Sequence, residues 1–429
     1  MPAENFFAVP VGGASGTRPA TVTAPGGRAR TVPSMPTLLA VDGNSLLHRA
    51  YHAHAGTNMR DSDGNPTWAL HGFLRQLASV IEKVGPDAII VGFDQPGCSL
   101  RKDAYPPYKA NRGEKAPELA TQILLAHQLL ADAGMHVVIP DGLEADDILA
   151  ASAKAATAAG WDTVVVTSDR DSFALISATT SVLRILNGGV ANSPTLTPAS
   201  LPALCGVRPD QYRDYAAMRG DTSDNLPGMM GIGPKGAAAI LAAYGSVAAA
   251  LAAVADDPAA AGATIGKANA TKLANPDNQH AWKRNVTLMG MLEDTPTHLN
   301  FGPTCPSLVS NIVEATFRAA CDRHNLRAGA NAMLAALTGP RTPASPAWDD
   351  EPTWDTTLAE EPVAETDVAP ESARPAPAQP APQAPGPRSE QYTPLNEPAP
   401  TPPERTPTPV GSGAGAPPMA QPSWEGTFL

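Results

Sequence analysis

The chain has 429 residues, 43% of them apolar, which is enough for one large domain or two ordinary ones. Its net charge of −12 is mostly a property of the end of the chain: residues 340–429 hold 13 acidic and 4 basic side chains, so −9 lies there and −3 over 1–339, and the acidity does not argue against a nucleic-acid partner. No apolar stretch approaches the roughly 20 residues of a membrane span, the start MPAENFFAVPVGGASG lacks the basic and apolar runs of a secretory signal, and Cys98, Cys205, Cys305 and Cys321 show neither CxxC spacing nor a disulfide framework, so a soluble, cytoplasmic protein in a reducing compartment is expected.

In chain order, residues 1–36 are rich in Gly, Pro, Thr and Ala without any period and read as a disordered arm, with Met35 as an alternative start. Apolar runs at Leu38–Val41, Ala88–Phe93, His136–Ile139, Thr163–Thr167 and Val182–Ile185 predict buried strands, and helical spacing predicts helices over about 66–84, 117–134 and 144–159. That alternation predicts an α/β domain over 37–206 with a parallel sheet covered on both faces. A mainly helical region follows over 207–325. Residues 340–429, with about half of the 46 prolines, cannot pack a core and read as a disordered tail.

The acidic residues of the first domain fall at strand ends. Asp42 closes LLAVD and Asp94 closes IIVGFD; Glu144, Asp146 and Asp147 open the helix after the third strand; Asp169 and Asp171 follow VVVTS. Ligands of an open parallel sheet bind beyond the carboxyl ends of its strands, so these acids should meet on one edge. Glu144 and Asp147 share a helix face, Asp169 and Asp171 in an extended exit point the same way, and Asp221 and Asp224 in RGDTSDN are again three apart. One such Asp alone is a helix cap or turn former. Nine converging carboxylates repel one another and require cations, and an oxygen-only donor set suits Mg²⁺ or Mn²⁺. The turn Asp61-Ser-Asp63-Gly-Asn lacks the downstream Glu of a calcium loop and reads as a plain turn.

Two further segments suit a polyanion. Residues 98–120 carry Arg101, Lys102, Lys109, Arg112 and Lys115 with Tyr105 and Tyr108 interleaved, a phosphate-binding composition with rings for stacking. Lys102 and Lys115 read as solvated, whereas Lys109 and Arg112, three apart, can face the metals together. In LPGMMGIGPKGAAA (226–239), Gly228, Gly231 and Gly233 allow close backbone approach ahead of a helix, and Lys235 adds a charge. The spacing is neither that of a Walker A loop nor that of a Rossmann turn.

Taken in order, LLAVDGNSLLHRAYHA, VGFDQPGCSLRKDAYPPYKANR, GLEADDILAASA, VVTSDRDSFALI and MRGDTSDNLPGMMGIGPKGAAAIL resemble the blocks of the 5′ nuclease domain of bacterial DNA polymerase I and of phage flap endonucleases, over about 37–300. The resemblance implies a PIN-like α/β domain with a helical arch and a helix–hairpin–helix-like DNA clamp over 207–325. It implies two divalent-metal positions: Asp42, Asp94, Glu144 and Asp146 at the first, Asp169, Asp171, Asp221 and Asp224 at the second, Asp147 between them. Lys109 and Arg112 match the element that positions the scissile phosphate. Gly231, Gly233 and Lys235 match the duplex-gripping hairpin, which in the family often holds a monovalent cation such as K⁺. Arg49, Tyr51 and Arg101 are further expected DNA contacts. Arg170 stands where Lys is common. The implied protein is a monomeric, stand-alone 5′→3′ exonuclease and flap endonuclease without a polymerase, acting on DNA with a free 5′ end or flap in replication or repair. The readings set against it are a structure-specific DNA-binding module with little catalysis and a PIN-type RNase. Trp348, Trp354, Trp424 and Phe428 among acids and prolines suggest a docking segment for a replication protein, against the plainer reading of a solubilising tail.

Overall fold

The computed structural model describes residues 35–97, 99–301 and 312–339. The expected arm, the tail with its docking segment, Cys98 and Cys305 lie outside the described residues. The elements run β1 (Thr37–Asp42), α1 (Gly43–His54), α2 (Trp68–Val84), β2 (Ala88–Gly92), α3 (Leu100–Ala104), α4 (Pro117–Asp132), β3 (His136–Val138), α5 (Ala145–Ala158), β4 (Asp162–Thr167), β5 (Thr180–Arg184), β6 (Thr195–Leu196) and α6 (Ser200–Cys205). Then come α7 (Tyr212–Arg219), β7 (Gly220–Asp221), β8 (Leu226–Pro227), α8 (Pro234–Tyr244), α9 (Val247–Asp256), α10 (Pro258–Ile265), α11 (Lys267–Ala274), α12 (Pro276–Leu288), α13 (Glu314–Arg323) and α14 (Arg327–Thr338).

These elements form two compact units that are not continuous stretches of chain. The first takes residues 35–100, 117–210 and 291–339; the second takes 101–116 and 211–290. The helical region expected over 207–325 is therefore divided. Its last part packs in the first unit, where α13 meets α4 and buries Phe317; beyond 325, α14 meets α2 and buries Met333, Leu334 and Leu337.

In the first unit the sheet order is β3-β2-β1-β4-β5-β6. Every pairing is parallel except the short edge strand β6, which runs antiparallel to β5. All residues of β2 and β5, and five of the six in β1, are buried, which accounts for their unbroken apolar runs. From β1 the chain steps outward through β2 to β3, then returns to lay β4 on the other side of β1. The strand order thus reverses around the carboxyl end of β1, the place where such sheets bind ligands. Register brings Asp42 opposite Gly92 and Val41 opposite Val166, so the strand ends carrying Asp42, Asp94 and Asp169 finish level. At that edge Gly43 opens α1 against Phe93, and a Cβ on it would stand 2.4 Å from the ring.

The second unit is mainly helical, with the β7–β8 pair leading into the glycine-rich turn before α8. The segment 255–278 resolves into α10, α11 and the start of α12, each begun by Pro or Lys after a Gly or Asx residue. Among the described residues no single helix is long and apolar enough to cross a membrane.

Candidate metal centre and nucleic-acid elements

The carboxyl edge of the first unit is held by a network of short polar side chains. Asp42 caps α1: its Oδ1 accepts from the Ser45 N–H at 2.9 Å, and its Oδ2 accepts from Thr167 Oγ1 at 2.8 Å. The same Thr167 oxygen accepts from the Asp169 N–H at 3.0 Å, so one hydroxyl joins the ends of β1 and β4. Ser45 Oγ and Ser168 Oγ lie 2.5 Å apart, and the Ser168 N–H donates to Ser45 Oγ. Asp94 Oδ1 accepts from the Ala145 N–H at 2.9 Å, and its Oδ2 accepts from Asn44 Nδ2. This edge therefore gathers the start of α1, the ends of β1, β2 and β4, and the start of α5.

Electrostatics at this edge favour a bound cation. Burial pushes the Asp42 carboxyl up to about 7, aided by the nearby charges of Asp94 and Asp169 and opposed by its bonds from Ser45 and Thr167. Asn44 Oδ1 is a buried acceptor with no hydrogen bond. Oxygen donors and mutual carboxylate repulsion fit a hard divalent ion, while the helix N-termini at this edge offset part of the carboxylate charge. Among the described residues no three His, Cys, Asp or Glu side chains stand preassembled around a common point. Asp42, Asp94 and Asp169 instead accept from backbone and side-chain donors of the edge itself.

The acids differ in their surroundings. Glu144 is the N-cap of α5 and buried, with Ser99 Oγ 3.5 Å from its Oε1; Asp146 is half-buried in the first turn. Asp147 departs from expectation. It is fully buried, its Oδ2 accepts from the Glu144 N–H at 3.0 Å, and its Oδ1 accepts from the Leu292 N–H at 2.8 Å. Both oxygens accept from backbone N–H groups, which ties residue 292 to α5. The exit after β4 is not extended. Asp171 starts a 3₁₀ turn, and its N–H donates to Asp169 Oδ1 at 2.9 Å. Arg49 Nη2 donates to Asn187 Oδ1 at 3.2 Å, and Tyr51 packs its ring 5.5 Å from that of Trp68. Asp61 accepts from the N–H groups of Asp63 and Asn65 and from His324, confirming a turn that anchors α13. Burial pushes its carboxyl up, but the bonds from His324 and Asn65 outweigh this and hold it below the ordinary carboxylate range.

In the second unit Lys109, Arg112, Asp221 and Asp224 come together. The Lys109 N–H donates to the Asp224 carbonyl at 3.0 Å, with Lys109 in the left-handed region at φ 53°. Arg112 Nη2 donates to Asp224 Oδ1 at 2.6 Å, and Lys109 Nζ lies 3.9 Å from Oδ2. Asn111 reaches the Thr222 carbonyl, and Asn225 reaches that of Pro107. Asp221 Oδ1 accepts from both the N–H and the hydroxyl of Ser223. The basic element and the RGDTSDN turn are thus one knot, with both cations on Asp224.

Three expectations for residues 98–120 are corrected. Arg101 is buried rather than a DNA contact: its Nε and Nη2 donate to the Leu288 and Gly290 carbonyls at 2.9 and 2.8 Å. Tyr108 is buried with Lys109 Nζ 4.9 Å from its ring centre, so its ring is not open for stacking, and the half-buried Tyr105 has one face already taken by the Arg284 guanidinium at 5.0 Å. At the glycine-rich turn, Gly231 has φ 78°, Gly233 is the N-cap of α8 and Lys235 is exposed. Sequence reasoning missed Asn44, Ser45, Thr167 and Ser168 at the carboxylate edge and Lys272, Asn278 and Arg284 in the second unit. The hydroxyls and Asn44 flank the acidic blocks, which is the one signal that marks them.

Residues 37–202 match the family model described as 5′-3′ exonuclease, N-terminal resolvase-like domain, and residues 207–303 match 5′-3′ exonuclease, C-terminal SAM fold. DNA polymerase I of Mycobacterium tuberculosis is 37% identical over 261 residues, covering 61% of this chain and 28% of that protein. The thermostable DNA polymerase I of Thermus aquaticus is 39% identical over 210 residues, covering 49% and 24%. The chain therefore spans about a quarter of the length of these relatives. The solved structure of T5 5′-exonuclease with bound zinc aligns at 20% identity and a TM-score of 0.47, covering 70% of this chain and 99% of that one. With both halves of the family matched in order across 37–303, this chain belongs to the 5′-3′ exonuclease family.

Proposed function

We propose that the protein is a divalent-metal-dependent 5′→3′ exonuclease and structure-specific flap endonuclease that hydrolyses DNA phosphodiester bonds. The observation that carries this reading is the carboxyl edge, where Asp42, Asp94 and Asp169 are fixed at level strand ends beside the acidic start of α5. A bound Mg²⁺ or Mn²⁺ would lower the pKa of water and stabilise both the attacking and the leaving oxygen. Asp42, Asp94, Glu144 and Asp146 would hold one ion, and Asp169 and Asp171 a second. By the family resemblance Asp221 and Asp224 are further metal ligands. The same resemblance gives Lys109 and Arg112 the phosphate charge, a role that requires them to loosen from Asp224. The substrate is DNA with a free 5′ end or flap, gripped through its backbone with weak sequence preference. Lys235 and the turn at 228–233 are the proposed duplex contact, with Arg49 and Tyr51 nearer the chemistry.

The test is the double variant Asp146→Ala/Asp169→Ala on a 5′-flap substrate in DNA and in matched RNA. Cutting of the DNA flap should fall by at least about 10³-fold while flap binding persists, and wild type should prefer DNA to RNA. Full activity in the double variant would refute the site assignment, and preferred cutting of RNA would put a PIN-type RNase in its place.

A further inference from the structure

The glycine-rich turn at 228–233 is where the family resemblance implies a bound monovalent cation, and the donors around it do not fit one. Such an ion needs several carbonyl oxygens to replace its hydration shell. Here the Met229 carbonyl accepts from the Ile232 N–H at 3.0 Å and the Met230 carbonyl from Asn278 Nδ2 at 3.3 Å. The Gly231 carbonyl accepts from Lys272 Nζ at 2.6 Å, a charge-assisted bond. The approach is close: a Cβ on Gly231 would stand 2.9 Å from Lys272 Cε. A second cation on the same oxygens would sit within a few ångströms of the ammonium and be repelled.

The ammonium is delivered by a built scaffold. Lys272 lies in the last turn of α11, and Asn278 in the first turn of α12. Asn278 is buried; it accepts from the Met230 N–H at 2.6 Å and donates to the Lys272 carbonyl at 3.0 Å. The α11–α12 junction is thereby fixed to the turn at two points, one neutral and one charged. We propose that Lys272 supplies, from within the chain, the positive charge that a monovalent cation would bring to this turn, so that the turn is ordered and grips its ligand without K⁺. The consequence for DNA rests on the nuclease reading above; the consequence for the turn itself does not.

The experiment compares KCl with tetramethylammonium chloride at equal ionic strength, because the bulky ion cannot enter a carbonyl site. Hydrogen exchange at the amides of Met230, Gly231 and Ile232 is read first, then affinity for a 5′-flap duplex by fluorescence anisotropy. Wild type should give the same protection in both salts and affinities within about twofold. Lys272→Met, which keeps the aliphatic stem, should exchange about 10-fold faster in tetramethylammonium and bind the flap about 10-fold more weakly, with K⁺ restoring part of both. Lys272→Arg should stay K⁺-independent. K⁺-specific protection in wild type would overturn the proposal, as would unchanged exchange in Lys272→Met in both salts. Absence of flap binding in every protein and salt would count against the nuclease reading, while the exchange data would still decide the role of Lys272.

Discussion

At the residue scale, two adjacent carboxylates in one acidic block differ in their surroundings. Asp147 serves two backbone N–H groups in full burial, whereas Asp146 stays half-buried beside the strand ends. Asp147→Ala strands both donors, and each unsatisfied buried group costs about 1–3 kcal/mol. We expect denaturant unfolding to show a loss of about 2–4 kcal/mol, with Mn²⁺ stoichiometry by calorimetry unchanged in the folded variant; unchanged stability with one metal site lost would contradict this role. Asp42 makes a pH prediction. Its folded-state pKa of about 7 lies above the ordinary 3.8, so its contribution to stability is complete below about pH 4 and is lost as pH rises through 7. In EDTA, melting temperatures of wild type should therefore fall between pH 5.5 and 8 by more than those of Asp42→Asn, and Mn²⁺ should erase the difference. A wild-type profile parallel to that of the variant would remove the electrostatic argument for the site.

At the element scale, the sheet was legible because β1, β2 and β4 are short, mostly buried apolar runs, with Asp42 closing β1 and Asp94 and Asp169 two residues beyond the ends of β2 and β4. The level finish of the strands that lead to Asp42, Asp94 and Asp169 followed from parallel strand order alone. What sequence could not supply was the burial of residues whose partners lie far along the chain. Arg101 reads as a phosphate contact from its basic neighbours, yet its guanidinium closes the end of α12 through carbonyls 187 and 189 positions away. Tyr108 and the division of the helical region between two units are hidden for the same reason: a side chain's neighbours in space are not written beside it. Arg101→Ala should accordingly cost about 2–4 kcal/mol of stability, as loss of hydrogen bonds from a buried charged group. The salt dependence of flap-DNA affinity should keep its slope. A slope reduced by about one with stability intact would restore Arg101 as a phosphate contact.

At the scale of the whole molecule, one unit holds a parallel sheet with an acidic carboxyl edge, and the other is mainly helical, its turn at 228–233 braced by Lys272 and Asn278. The family models match these two kinds of structure in the same order. The central claim is that the acidic edge is a metal-dependent nuclease centre of defined polarity. It is tested most directly with a 5′-flap DNA labelled at either end and incubated with the full chain in Mg²⁺, Mn²⁺ or EDTA. The account predicts cutting near the flap junction and shortening from the 5′ end in either metal, both abolished by EDTA. Binding without cutting in either metal would contradict it and leave a structure-specific DNA-binding protein.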